Sequence, residues 1–215
     1  MKTSHLRAGN IKVTREDWLW LARDLLIDQG VEAVRILSLG QTLGVSRSSF
    51  YWYFKSRQDL LDQLLESWRA HNTRHLVTHA ERAVPTIAAA VLAVWECWMD
   101  PRLFDPKLDF AIRAWARRVP EIRQIVEETD AVRLSALVAM YRRHGYAEPE
   151  ATVRARVLYL TQIAYFSLEI SETIEARFQQ AQAYILTFTG QEASAEELAA
   201  FGRFIETLPR QDAAA

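Results

Sequence analysis

Prolines and glycines in this chain stand mostly at the edges of apolar-periodic runs rather than inside them, a punctuation that points to helices. Pro120 and Pro149 each open such a run, as proline does in the first turn of a helix, and Pro85 stands at the head of another. Gly30, Gly145 and Gly190 each follow the end of one, where glycine accepts the left-handed backbone that closes a helix. Only seven Gly and six Pro occur in 215 residues, and half of the chain is apolar, a mix suited to long helices over turn-rich sheet. The expected fold is all-α, large enough to bury a core without disulfides or metal.

The first helix is capped at Thr14, with Asp17 three residues on, and carries Trp18, Leu21, Ala22, Leu25 and Leu26 on one stripe up to Gly30. A short helix follows over 35–43, with Ile36, Leu39 and Leu43 apolar and Gly40 implying close packing. In Gly44-Val45-Ser46 the glycine turns the chain, the valine plugs the space between helices and the Ser46 hydroxyl caps a third helix to about Phe54. A long helix from after Arg57 to about Arg82 comes next, then helices over 85–99, 108–118, 120–143, 149–170, 173–189 and 194–208, with the tail 210–215 frayed. Two domains are expected, residues 1–57 and 58–215.

Charge divides along the same line. Residues 1–57 hold nine Lys/Arg against five Asp/Glu, a net of +4, which leaves −5 for the remainder. The segment from Ala33 to Arg57 contains Arg35, Arg47, Lys55 and Arg57 and no acidic residue, as a surface facing phosphates requires. The single cysteine, Cys97, lies in an apolar run and reads as a buried thiol in a reducing cytoplasm. The basic, polar start of the chain lacks the apolar core of a secretory signal. The longest apolar stretch, Ile87 to Met99, falls short of the roughly 20 residues that span a bilayer, so no membrane association is expected.

Residues 30–57, GVEAVRILSLGQTLGVSRSSFYWYFKSR, resemble the DNA-binding segment of the tetracycline-repressor (TetR) family. The resemblance rests on Gly44-Val45-Ser46, Phe50-Tyr51, Phe54-Lys55-Ser56 and Asp59-Leu60-Leu61, in order and at the family's spacing, and covers about residues 14–65. It departs from the family at Val34-Arg35, where a hydroxyl is usual, at Ser48-Ser49, where a glycine is frequent, and at Trp52. The resemblance implies an N-terminal three-helix, helix-turn-helix DNA-binding domain and a C-terminal helical domain that binds a small-molecule effector and dimerises. It implies a transcriptional regulator, a ligand-released repressor on a palindromic operator.

A helix-turn-helix lays the start of its second helix against base edges in the major groove. Arg47, Ser48 and Ser49 are the base-reading candidates, with Arg47 able to fork onto guanine. The resemblance implies phosphate contacts for Tyr51 and Lys55, with Arg35 supplying a charge where the family has a hydroxyl, and Ser46 is a further DNA-binding candidate. Trp52 and Tyr53 join this set, either lying along the DNA or packed at a domain junction, and both readings stay open. Phe50 and Phe54 are expected in the core.

For the effector the candidates are Trp95, Trp98, Met99, Phe110, Arg113, Trp115, Tyr141, Tyr159, Gln162 and Phe166, with Asp109 as a further polar group. Their composition suggests an aromatic or otherwise planar ligand, although rings at helical spacing also serve as plain core. A homodimer is expected because one reading helix covers few base pairs, and Val153, Val157, Leu160, Ile163, Ile174, Phe178, Ala181, Ile185 and Phe188 are its interface candidates, some of which must face the core. His71, His75 and His79 share a helix face that a zinc ion or only solvent could occupy, and no further ligand completes a site, so neither metal nor cofactor is expected. No catalytic motif is present, which sets aside an enzyme unless a helical one works without a signature. The remaining alternative is a ligand-binding protein that has lost DNA binding, which the retained basic segment argues against.

Overall fold

The computed structural model describes residues 13–170 and 172–209; the chain start and the tail expected to fray lie outside them. Twelve α-helices occur among the described residues, and no strand. They fall into two compact units divided between Ser67 and Trp68.

The first unit holds α1 (Arg15–Gln29), a 3-10 turn (Val31–Ala33), α2 (Ile36–Leu43), α3 (Arg47–Phe50) and most of α4 (Arg57–Trp68). Both halves of the Thr14 capping box form: Thr14 Oγ1 accepts from the Asp17 amide and Asp17 accepts from the Thr14 amide. Gly30 and Gly44 take positive φ at the ends of α1 and α2. A side chain at Gly40 would press on the Val45 carbonyl oxygen at 3.2 Å, so glycine is what lets the turn close on α2. The core is Trp18, Ala22 and Leu26 of α1 against Leu39, Phe50 and Phe54. Phe50 meets Trp18 edge-on at 5.3 Å and stacks on Phe54 at 5.1 Å.

In the second unit a π-helical segment (Arg69–Thr73) continues the chain into α5 (Arg74–Ala80). Then come α6 (Ile87–Met99), α7 (Pro106–Ala116), α8 (Pro120–Arg143), α9 (Glu148–Ser167), α10 (Ile174–Gln179), α11 (Ala181–Thr189) and α12 (Ala195–Glu206). The expected helix over 173–189 is broken at Gln180 into α10 and α11. Helix α6 runs through the middle of the unit with most of its length buried, flanked by α5, α8, α11 and α12. Cys97 lies fully inside, where burial pushes its thiol up to about 12, so it is inert packing. No helix among the described residues is long and apolar enough to cross a membrane.

Candidate functional site

Local chain chemistry shapes the head of the first unit. Ser48-Ser49 is a weak helix-forming pair, and after Phe50 the chain tightens into i→i+3 bonds from Tyr51 to Ser48, Trp52 to Ser49 and Tyr53 to Phe50. The regular part of α3 therefore ends four residues before the expected Phe54, although the turn continues to that point. Ser46 occupies the N-cap position without capping a backbone amide; its hydroxyl instead lies 2.7 Å from the Ser48 hydroxyl and 3.3 Å from that of Ser49. The three hydroxyls form one small polar cluster at the start of α3.

Around that cluster Arg35, Ser46, Arg47, Ser48, Tyr51, Trp52 and Lys55 are exposed, and Ser49 is half-buried. Arg47 Nη2 donates to the Tyr51 hydroxyl at 3.0 Å while its guanidinium lies over the same ring, which holds the cation at the front of α3. Trp52, at 74% exposure, has its indole almost wholly in solvent. Lys55 spends only its backbone amide, on Asp59, and that bond is the main cause holding the Asp59 carboxyl below its ordinary range. Arg35 donates to the Glu32 carbonyl oxygen and keeps an exposed side chain.

Two residues of the basic segment turn inward. Tyr53 donates its hydroxyl to the Val13 carbonyl at 2.9 Å and is a strut of the unit. Arg57 donates to the carbonyl oxygens of Val34 and Val31, pinning the 3-10 turn, so the acid-free segment presents three solvent-facing cations where four were expected. Leu37, exposed beside Arg35 in the first turn of α2, was not singled out, since it falls off that helix's apolar stripe.

Deep in the second unit lies an ionic cluster. Asp109 accepts from Trp68 Nε1 at 2.9 Å, Arg133 Nη1 at 2.8 Å and Arg113 Nε at 2.8 Å. Arg113 also pairs with Asp130, and the Tyr159 hydroxyl donates to Asp130 at 2.7 Å. Burial alone raises the Asp109 carboxyl, but the Arg133 and Arg113 guanidiniums outweigh it and hold the group below its ordinary range. Arg133 is fully buried between the rings of Trp68 and Phe104. The two cations and two carboxylates balance, so Arg113 and Tyr159 are engaged with the protein itself.

A narrow cleft, with about 40 Å³ of space for the centres of water-sized molecules, opens elsewhere in this unit. Its walls are the rings of Trp95, Tyr184, Phe188 and Phe201, with Met99 between, and its polar groups are Thr161, Gln162, Tyr165 and Arg177. Of the expected effector residues it gathers Trp95, Met99 and Gln162. Trp98, Trp115 and Tyr141 are core, the last donating to the Phe188 carbonyl, while Phe166 stacks on Phe104. Phe110 and Arg113 border a separate open groove with Arg117 and Arg123. Tyr184 and Phe188 form an i, i+4 ring pair in sequence, whereas Arg177 sits among Glu175, Gln179 and Gln180 and carries no local signal.

On α9 an apolar stripe faces solvent: Val153 at 60%, Val157 at 44% and Leu160 at 57% exposure, with Leu186 of α11 also exposed. Ala181, Ile185 and Phe188 point the other way, into the core; Ile163, Ile174 and Phe178 are half-buried. His71 and His75 pack ring to ring at 5.0 Å, whereas His79 is buried with Nδ1 on the His75 carbonyl oxygen. No group of three or more metal-ligating side chains among the described residues is placed to hold an ion.

Residues 19–64 match the family model of the bacterial regulatory proteins, tetR family. The chain is 38% identical over 60 residues to the class A tetracycline repressor protein from transposon 1721 of Escherichia coli, a match covering 28% of each protein. The chain thus spans just over a quarter of that relative's length. Beyond it the likeness is one of fold. Mycobacterium smegmatis AmtR superposes with a TM-score of 0.62 at 17% identity, over 95% of this chain and 99% of that one. A TetR transcriptional regulator from Legionella pneumophila gives 0.60 at 12% identity, over 94% and 100%. Residues 19–64 are thus similar to the tetR family of bacterial regulatory proteins, and along the rest of the chain the likeness to the superposed structures is one of helical fold alone.

Proposed function

We propose that this protein is a cytoplasmic, DNA-binding transcriptional regulator that reads a near-palindromic operator as a homodimer and is released from it by a small-molecule effector. The observation that carries this reading is the front of the first unit, where Arg35, Arg47 and Lys55 stand exposed around the start of a helix-turn-helix second helix, without an acidic residue between Ala33 and Arg57. In this reading Arg47 forks onto a guanine edge, Ser48 and Ser49 tolerate several bases, and Arg35, Ser46, Tyr51 and Lys55 hold phosphates. Trp52 lies along the sugar or a thymine methyl. Tyr53 supports the head from inside.

Two heads are needed for useful specificity, and the exposed stripe Val153, Val157 and Leu160 with Leu186 supplies a self-complementary surface on α9 and α11 that a two-fold axis buries. Residues 1–57 are the reading domain and 58–215 the effector and dimer domain. A coupling of a few kcal/mol between effector and operator, within the usual ~1–3 kcal/mol, suffices for release.

The test is selection from random-sequence and genomic DNA with the full-length protein, followed by footprinting. The reading predicts an enriched inverted repeat whose half-sites lie about 34–36 Å, one helical turn, apart or a small multiple of it. Enrichment of no sequence over random competitor contradicts it.

A further inference from the structure

The aromatic cleft between α6, α9, α10, α11 and α12 is lined by polar groups as well as rings. Gln162 is buried, yet its amide Nε2 has no hydrogen-bond partner. A buried donor left unpaired is destabilising, so the site gains by receiving an acceptor. Arg177 lines the same cleft, its guanidinium 4.5 Å above the Tyr165 ring, and makes no ion pair among the described residues. The acid that weighs most on it, Glu172, is exposed and takes the Tyr165 hydroxyl. Burial without a paired anion weakens the hold of Arg177 on its charge, the reverse of what its partners do for Arg133.

Rings form much of the remaining wall: Trp95, Phe178, Tyr184, Phe188 and Phe201. Trp95 stands edge-on to both Tyr184 and Phe188, while Tyr184 and Phe188 stack on each other at 5.8 Å. That wall suits a flat apolar body, and the two donors suit one group that accepts hydrogen bonds and carries negative charge.

We infer that the effector is a flat, apolar monocarboxylic acid, its carboxylate held by Arg177 and Gln162 and its body lying on Trp95 and Phe188. This rests on the reading of the second unit as effector-binding. A neutral amide of the same shape satisfies Gln162 but not Arg177. An amine satisfies neither.

Calorimetric titration of the full-length protein with 2-naphthoate and 2-naphthamide tests this without any DNA, so it stands or falls apart from operator recognition. Wild type binds 2-naphthoate at least tenfold more tightly than 2-naphthamide. In Arg177→Gln the preference falls below threefold, and in Gln162→Leu both affinities drop three- to tenfold. Arg177→Lys, which keeps the charge but loses the planar fork, covers the case in which Arg177→Gln does not fold. It binds naphthoate three- to tenfold more weakly and naphthamide unchanged. Equal binding of acid and amide by wild type, an undiminished preference in Arg177→Gln, or no binding of either below millimolar concentration overturns the inference.

Discussion

The two units of this protein differ in whether charge is buried. In the first, the core is rings and aliphatic side chains, Trp18, Leu26, Leu39, Phe50 and Phe54, while Arg35, Arg47 and Lys55 stand in solvent. In the second, Arg133 and Asp109 are inside while Val153, Val157 and Leu160 are outside. An exposed cation suits a partner that is itself a hydrated polyanion and must be gained and lost readily, since such contacts are screened by salt. An exposed apolar stripe suits a persistent partner that excludes water, and a second copy of the same chain is one.

The sharpest way to break this contrast is to unbalance the buried cluster. Asp109→Ala leaves Arg133 and Arg113 without their shared carboxylate, and a buried pair deprived of one partner loses about 3–5 kcal/mol, which urea unfolding of the second unit measures. Because the folded Asp109 carboxyl sits below its unfolded value near 3.9, its contribution is present above that pH and fades as pH falls through the folded value. The stability gap between wild type and Asp109→Asn accordingly closes at acid pH.

Next in size is the apolar stripe. In the proposed dimer Val157→Glu sets two like charges near the two-fold axis, and self-association weakens by a hundredfold or more, about 3 kcal/mol, in analytical ultracentrifugation. A dimer of unchanged affinity would move the interface elsewhere. In the first unit Arg47→Ala erodes the preference for operator over random DNA by about 1–3 kcal/mol while thermal stability stays put, since among the described residues its side chain meets the exposed Tyr51, at hydroxyl and ring. Smallest is Trp52→Ala: stability changes by no more than about 0.5 kcal/mol, as for other exposed positions, and operator affinity drops severalfold.

What is legible in the sequence follows distance along the chain and not the division into units. The Thr14 capping box, the proline-headed helices α8 and α9, and the glycine close approach at Gly40 depend on neighbours within a few residues, so local pattern reveals them, whereas α7 begins at Pro106, two residues ahead of the expected start. The inward turn of Arg57 depends on carbonyl oxygens 23 and 26 residues away, and nothing beside it in sequence distinguishes it from Lys55. The π-helical segment Arg69–Thr73 has no local signal either: Asn72 pairs with the Asp105 backbone in both directions and Thr73 accepts from Arg133. The break at Gln180 occurs without glycine or proline. In the cleft, Trp95, Met99 and Gln162 were readable as apolar helix positions with one polar exception, but the choice between Trp95 and Trp98 was not, because both lie on α6 and only packing decides which ring meets open space.

Most direct for the central account, that the first unit is a salt-sensitive reader of DNA, is a salt titration of operator binding by wild type and Lys55→Ala. Binding by wild type falls steeply as salt rises, and Lys55→Ala flattens the logarithmic slope by about one per head with little change in sequence preference. A slope near zero in wild type, or one that Lys55→Ala leaves untouched, contradicts the account.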